Sequence, residues 1–194
     1  MKKFLLTVTT ALSVLSAVAQ SGPKGLEVGD KAPGFAAKNQ YGKKVELQSV
    51  LKKGPAVLVF YRGQWCPYCN KQLSELEDSL GQITGKGAMV LAVTPEKSES
   101  IDMTVSKTKA SFSILHDEGL KIMKEYDVAY MVDAMMSDKL MKYGVDLKKN
   151  NGSNGNNLPV PAVYIINKNG EIIYKHFDAD YTKRASVKEI LSYL

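Results

Sequence analysis

The run Ala56-Val57-Leu58-Val59-Phe60-Tyr61 constrains this chain more than any other stretch. Six β-branched, aliphatic or aromatic residues without a polar interruption have strand length and no alternation, the mark of a central strand covered on both faces. Directly after it comes Arg62-Gly63-Gln64-Trp65-Cys66-Pro67-Tyr68-Cys69. Then Leu73, Leu76, Leu80 and Ile83 recur at helical spacing, with Lys71, Glu75, Glu77 and Asp78 on the other faces. The pattern predicts a strand, a short turn and an amphipathic helix that starts near Cys66 or Pro67. Pro67 suits a first helical turn, where its missing N–H is no loss.

The alternation continues. Residues 88–94 and 112–117 read as further strands, 96–109 and 119–128 as helices, and 162–177 as a hairpin turning at Asn167–Gly170. Ser186, with Glu189 three residues on, caps a closing helix. Ahead of the central strand, residues 26–54 read as a peripheral hairpin extension. The expected class is α/β, a mixed central sheet flanked by helices. With 44% apolar and 24% charged residues, the chain has material for one core, so one domain is expected over residues 20–194. The Met-rich segment 130–147 reads first as a helix packed on that core, with a partner or membrane surface as the alternative. Residues 148–157, Lys-Lys-Asn-Asn-Gly-Ser-Asn-Gly-Asn-Asn, read as a mobile loop without a phosphate-binding order of glycines, and no cofactor is expected.

Residues 1–19 read as a signal peptide: Lys2 and Lys3, an apolar middle shorter than the roughly 20 residues of a spanning helix, and Ala17-Val18-Ala19 in the small-x-small pattern of a cleavage site. The expectation is an exported protein, periplasmic or secreted, that begins at Gln20 and has no membrane anchor after cleavage. Loss of the two lysines takes the formal charge from +6 to +4. The remaining lysines form no stripe, so nucleic acid is not an expected partner.

Cys66 and Cys69 are the only cysteines. A loop this small is a weak staple, and half a zinc site would need further thiolate or imidazole ligands, for which only His116 and His176 exist. Each histidine follows a strand and reads first as a strand-end polar residue. The third reading is redox chemistry. A helix N-terminus offers unsatisfied N–H groups and the positive end of the dipole, which lower a thiol pKa from about 8.5 to between about 3.5 and 7.5. Cys66 is then the nucleophile and Cys69, one turn on, the resolving thiol. Trp65, Pro67 and Tyr68 would shape the site by restricting water and fixing the turn. Pro161, before the strand at 162, reads locally as an ordinary trans proline.

Val-Gly-Asp-Lys-Ala-Pro-Gly-Phe at 28–35, the stretch 56–69, residues 112–128 and Leu158-Pro-Val-Pro-Ala-Val-Tyr-Ile-Ile-Asn-Lys-Asn-Gly-Glu-Ile172 resemble, in this order, the alkyl hydroperoxide reductase/thiol-specific antioxidant family. They are most similar to its peroxiredoxin-like members with Cys-x-x-Cys. The resemblance implies a thioredoxin-like fold, antioxidant oxidoreductase activity and a thioredoxin-like electron donor. It also implies a cis Pro161 that exposes the Val160 backbone beside the cysteines for pairing with an extended substrate. In peroxiredoxins the peroxidatic cysteine would fall on Cys69, with Cys66 at a Thr/Ser position and Arg62 at a proline position. Their site takes an arginine from a later strand, whereas the two arginines here, Arg62 and Arg184, stand outside that context. Peroxide reduction needs donors that polarise the O–O bond, and attack on a disulfide does not. The expected substrates are therefore protein or small-molecule thiols and disulfides, with peroxides as the alternative. Copper delivery by two cysteines and a distant histidine is a lower alternative, because such proteins usually have three residues between the cysteines.

Overall fold

Two short strands, β1 (Ala36–Asn39) and β2 (Lys44–Glu46), form the expected N-terminal hairpin, followed by a short helix α1 (Leu47–Leu51). The structure, a computed structural model, describes residues 22–194. The predicted leader and the start at Gln20 lie outside the described residues. β3 (Ala56–Phe60) is the central strand that its composition requires, with all five residues fully buried. The chain then forms α2 (Pro67–Asp78), α3 (Leu80–Gly85), β4 (Met89–Thr94), α4 (Ser98–Thr108) and β5 (Ser113–His116). A 3-10 turn (Glu118–Leu120) and α5 (Lys121–Glu125) lead to β6 (Ala129–Met131), α6 (Ala134–Lys142) and α7 (Leu147–Asn151). β7 (Asn157–Pro159), β8 (Ala162–Ile166), β9 (Ile172–Phe177) and α8 (Val187–Ser192) complete it.

Seven strands pair in the order β2-β1-β5-β4-β3-β8-β9, with β3, β4 and β5 parallel and the others antiparallel to their neighbours. β6 and β7 form a separate two-stranded ribbon. The alternation along β3 divides the core between two faces. Val57, Val59 and Tyr61 pack with Leu73 and Leu76 of α2, Ile101 of α4 and Ile190 of α8. Ala56, Leu58 and Phe60 pack with Leu47 and Leu51 of α1 and with Ile122, Met123 and Tyr126. Because three adjacent strands run in parallel, the loops that follow them gather at one edge of the sheet, where α/β sheets bind ligands.

Three expectations need correction. The helical spacing from Leu73 to Ile83 spans two helices, since the chain leaves helical geometry at Ser79 (φ −105°, ψ 5°). The Met-rich helix does not pack on the core: α6 buries no residue, and Met135 is 83% exposed. It stands over a small satellite cluster of Val132, Leu147 and Leu158, too small to bury a helix face. The Asn/Gly-rich segment is ordered by α7 and a 3-10 turn (Gly152–Asn154), because its amides do what water would do in a loop. Asn154 Nδ2 donates to the carbonyls of Pro95 (2.7 Å) and Asp117 (3.0 Å), and its Oδ1 accepts from Gly119 N–H (3.0 Å). Asn154→Ala leaves these buried groups unpaired, at a cost of about 2–4 kcal/mol. The expected result, read by thermal denaturation, is a Tm lower by roughly 5–10 °C. An unchanged Tm refutes this role.

Candidate active site

The turn between β3 and α2 is built on one buried carboxyl. Glu96, two residues past β4, is fully buried. Its Oε2 accepts from Gln64 N–H at 2.8 Å. Gly63 has φ +153°, and a Cβ there would meet Glu96 Oε1 and Trp65 Nε1, each at 2.6 Å. Glycine is thus required where carboxyl and indole close on the backbone. Lys107 of α4 donates to the Gln64 carbonyl at 3.0 Å and to its side-chain oxygen. The turn ends with Cys66 N–H donating to the Gly63 carbonyl at 3.1 Å.

Cys66 is the N-cap of α2 and Pro67 its first residue, as the strand-turn-helix pattern predicts. Both sulfurs are free thiols, and the residues are 1% and 0% exposed. The Cys66 thiol is lowered to about 6, first by the Cys69 thiol acting as hydrogen-bond donor and then by the Cys69 N–H and the charges of Arg62 and Arg184; burial opposes them. Cys69 moves the other way, pushed well up by burial and by the Cys66 sulfur beside it. The pair is therefore one acidic thiol at the helix start and one thiol that keeps its proton.

Of the predicted shaping residues, Trp65 and Tyr68 join a stack that sequence reasoning missed. The Arg62 guanidinium lies 4.8 Å from the Trp65 ring centre and 4.2 Å from that of Tyr181. Tyr181 in turn meets Tyr68 edge-on at 5.9 Å. Tyr181 belongs to a strap, residues 178–186, between β9 and α8, where Thr182 N–H and Oγ1 both donate to Asp180 Oδ1. From this strap Arg184 Nη2 reaches Cys69 Sγ at 3.5 Å. An arginine thus stands at the cysteines after all, supplied by a loop and not by the strand that carries it in peroxiredoxins.

Val160 and Pro161 depart from expectation. The described residues contain no cis peptide bond, so Pro161 is trans. Val160 N–H donates to the Val128 carbonyl at 2.8 Å, which removes it as a pairing edge for an extended substrate. Val160 is also absent from the cluster that holds both cysteines. The histidines stay apart from the pair: His116 Nδ1 meets the Glu96 carbonyl at 2.7 Å, and His176 lies in β9 opposite Val163. Among the described residues no three His, Cys, Asp or Glu side chains converge where an ion could be held, so the copper reading finds no third ligand.

A mixed sheet with an acidic cysteine at the start of the helix that follows its central strand defines a thioredoxin-fold oxidoreductase. The chain matches the AhpC/TSA family over residues 28–175, and it belongs to that family. It is 29% identical to the chloroplastic peroxiredoxin Q of Arabidopsis thaliana over 190 residues, covering 95% of this chain and 77% of that protein. It is 37% identical to the peroxiredoxin Q of Sedum lineare over 100 residues, 52% of this chain and about half (53%) of the relative. A third relative is the thiol-disulfide oxidoreductase ResA of Bacillus cereus, 27% identical over 59% of this chain and 65% of its own. The fold is shared with peroxidoxin BcpB from Mycobacterium tuberculosis (TM-score 0.67, 16% identity, 87% of this chain and 96% of that one). It is also shared with a cysteine-to-serine mutant of Xylella fastidiosa PrxQ (TM-score 0.66, 17% identity, 87% and 95%).

Proposed function

We propose that this protein reduces small hydroperoxides through the Cys66 thiolate, with Cys69 closing the disulfide and an external dithiol of thioredoxin type reopening it. The observation that carries this reading is the acidic Cys66 thiol beside Arg62 and Arg184, with a second, protonated thiol one turn on. Disulfide exchange is the expectation while both the Thr/Ser hydroxyl and the arginine of a peroxiredoxin site are missing; Arg184, 3.5 Å from Cys69 Sγ, supplies a guanidinium in place of the second. Burial of both sulfurs under the strap favours a substrate of few atoms over a protein disulfide. The Cys-x-x-Cys spacing and the likeness to ResA support dithiol exchange as the second reading. The leader-like residues 1–19 support a location outside the cytoplasm.

In the first step the Cys66 sulfur attacks the peroxide: an S–O bond forms, the O–O bond breaks and the alkoxide leaves to take a proton. Guanidinium groups at the pair stabilise that leaving charge. The Cys69 thiol then attacks the sulfenic acid, forming the disulfide and releasing water. Two electrons from the donor dithiol restore the pair by exchange. Because the Cys66 pKa is lowered, its thiolate is already present at neutral pH. Iodoacetamide modification of the reduced protein should thus rise with pH about a midpoint near 6, with the label on Cys66 by peptide mass. A midpoint near the ordinary thiol value of about 8.5, or first labelling of Cys69, overturns the assignment.

A further inference from the structure

One buried titratable group beside the cysteine turn takes no part in the steps of peroxide reduction. Glu96 is 0% exposed, and its carboxyl lies under the turn that ends in Cys66. It has no salt-bridge partner among the described residues. Oε2 has one donor, the Gln64 N–H, while Oε1 is buried without a partner. An ionised carboxylate is an acceptor at every lone pair, so this pocket suits the neutral acid while a second negative charge stands nearby. The groups that face it are Tyr61 after β3, Cys66 at the head of α2, Lys107 of α4 and His116 of β5, the last through the Glu96 carbonyl.

Resting on the assignment of Cys66 as the reactive thiolate, we infer that Glu96 is the proton partner of the dithiol: it holds a proton while Cys66 is a thiolate and releases it when the disulfide forms. Burial, and then the Cys66 charge, hold the carboxyl up at about 8, against the pull of the Gln64 N–H and Lys107. Disulfide formation removes the thiolate charge and leaves the Gln64 N–H and the Lys107 charge to favour the carboxylate against burial alone. The balance closes within the site. Thiolate, thiol, carboxylic acid and hydroperoxide become disulfide, carboxylate, alcohol and water, so the protons that the alkoxide and the departing oxygen need come from Glu96 and Cys69. Reduction by the external dithiol reverses it: disulfide and carboxylate take two electrons and two protons. Glu96 acts through the charge at Cys66 and is a positioning residue for protons, with no contact to substrate required.

Glu96→Gln keeps the shape and fixes the neutral state, so it separates this role from packing. Between pH 6.5 and 7.5 a reference dithiol such as dithiothreitol keeps both its protons when reduced. Its exchange equilibrium with the wild-type protein should be independent of pH, because two protons are released and two taken up. In Glu96→Gln only Cys69 takes one up, so the equilibrium constant for reduction of the protein should rise tenfold per pH unit. His116→Asn removes the imidazole that meets the Glu96 backbone carbonyl and should keep the flat wild-type line. Equal slopes in wild type and Glu96→Gln, or a tenfold slope in His116→Asn, overturn the inference. Iodoacetamide titration of Cys66 in the same proteins distinguishes the failures: a midpoint away from 6 condemns the thiolate assignment, and a midpoint at 6 with equal slopes condemns Glu96 alone. Should Glu96→Gln not fold, redox difference infrared spectra of the wild type decide. A carboxylic C=O band present in the reduced protein and lost on oxidation is expected, and its absence refutes the role.

Discussion

Cys66→Ser should consume no hydroperoxide, whereas Cys69→Ser should consume one equivalent and stop. Serine in place of the attacking thiolate removes the one thiol of the pair that is ionised at neutral pH, so the expected loss is on the order of 10⁴-fold or more. Without Cys69 the first step is intact, but the sulfenic acid on Cys66 has no thiol to close on. The family pattern makes the opposite forecast: with Cys69 as the peroxidatic residue, Cys66→Ser would keep the first oxidation and even restore the hydroxyl that peroxiredoxins have at that position. Burial and the neighbouring sulfur push the Cys69 thiol up, which keeps it protonated and unreactive at neutral pH. Peroxide consumption by both variants, with mass spectrometry of the oxidised residue, decides. A sulfenic acid on Cys69 in Cys66→Ser would transfer the reaction to Cys69.

Arg184→Gln should lower the rate constant with peroxide by about 10²- to 10³-fold, the usual effect of losing one aimed donor at a developing oxyanion. It should also raise the pH midpoint of Cys66 alkylation, since the Arg184 charge is among the causes that hold this thiol down. Arg184→Lys restores a point charge but not the planar fork that serves sulfur and the Lys183 carbonyl together, so it should recover the midpoint better than the rate. Circular dichroism of both variants should match the wild type. A rate within twofold of wild type in Arg184→Gln would show that the strap supplies no catalytic charge.

Where the physics is local, the sequence was informative. β3, the turn and the Cys66 cap follow from six adjacent apolar residues and a proline at the right place. The hairpin at Asn167–Gly170 and the Ser186 cap, whose side chain accepts from Glu189 N–H at 3.1 Å, are as local. Arg184 and Tyr181 were not legible, because their partners lie over a hundred residues away and the strap has no periodicity. The strap also lies past residue 175, where the family match ends. Glu96 reads in isolation as an acid at a helix start. Only the parallel pairing of β3 with β4 places it beside the cysteine turn. Asn154 was hidden by composition, since an Asn/Gly-rich run has the same letters whether its amides meet water or buried carbonyls. The family-based expectation for Pro161 failed for a related reason: the Val160 N–H was already committed to Val128, in a part of the chain no local motif connects to it.

The stack of Trp65, Arg62 and Tyr181 has one more consequence. Trp65 is the sole tryptophan of the chain, and the guanidinium against its ring is the same one that meets Tyr181 of the strap. Any opening that admits a substrate to the sulfurs changes what that indole touches. The protein therefore carries its own optical reporter at the mouth of the site, and stopped-flow emission can time the motion of the strap separately from the oxidation of the thiols, without a label.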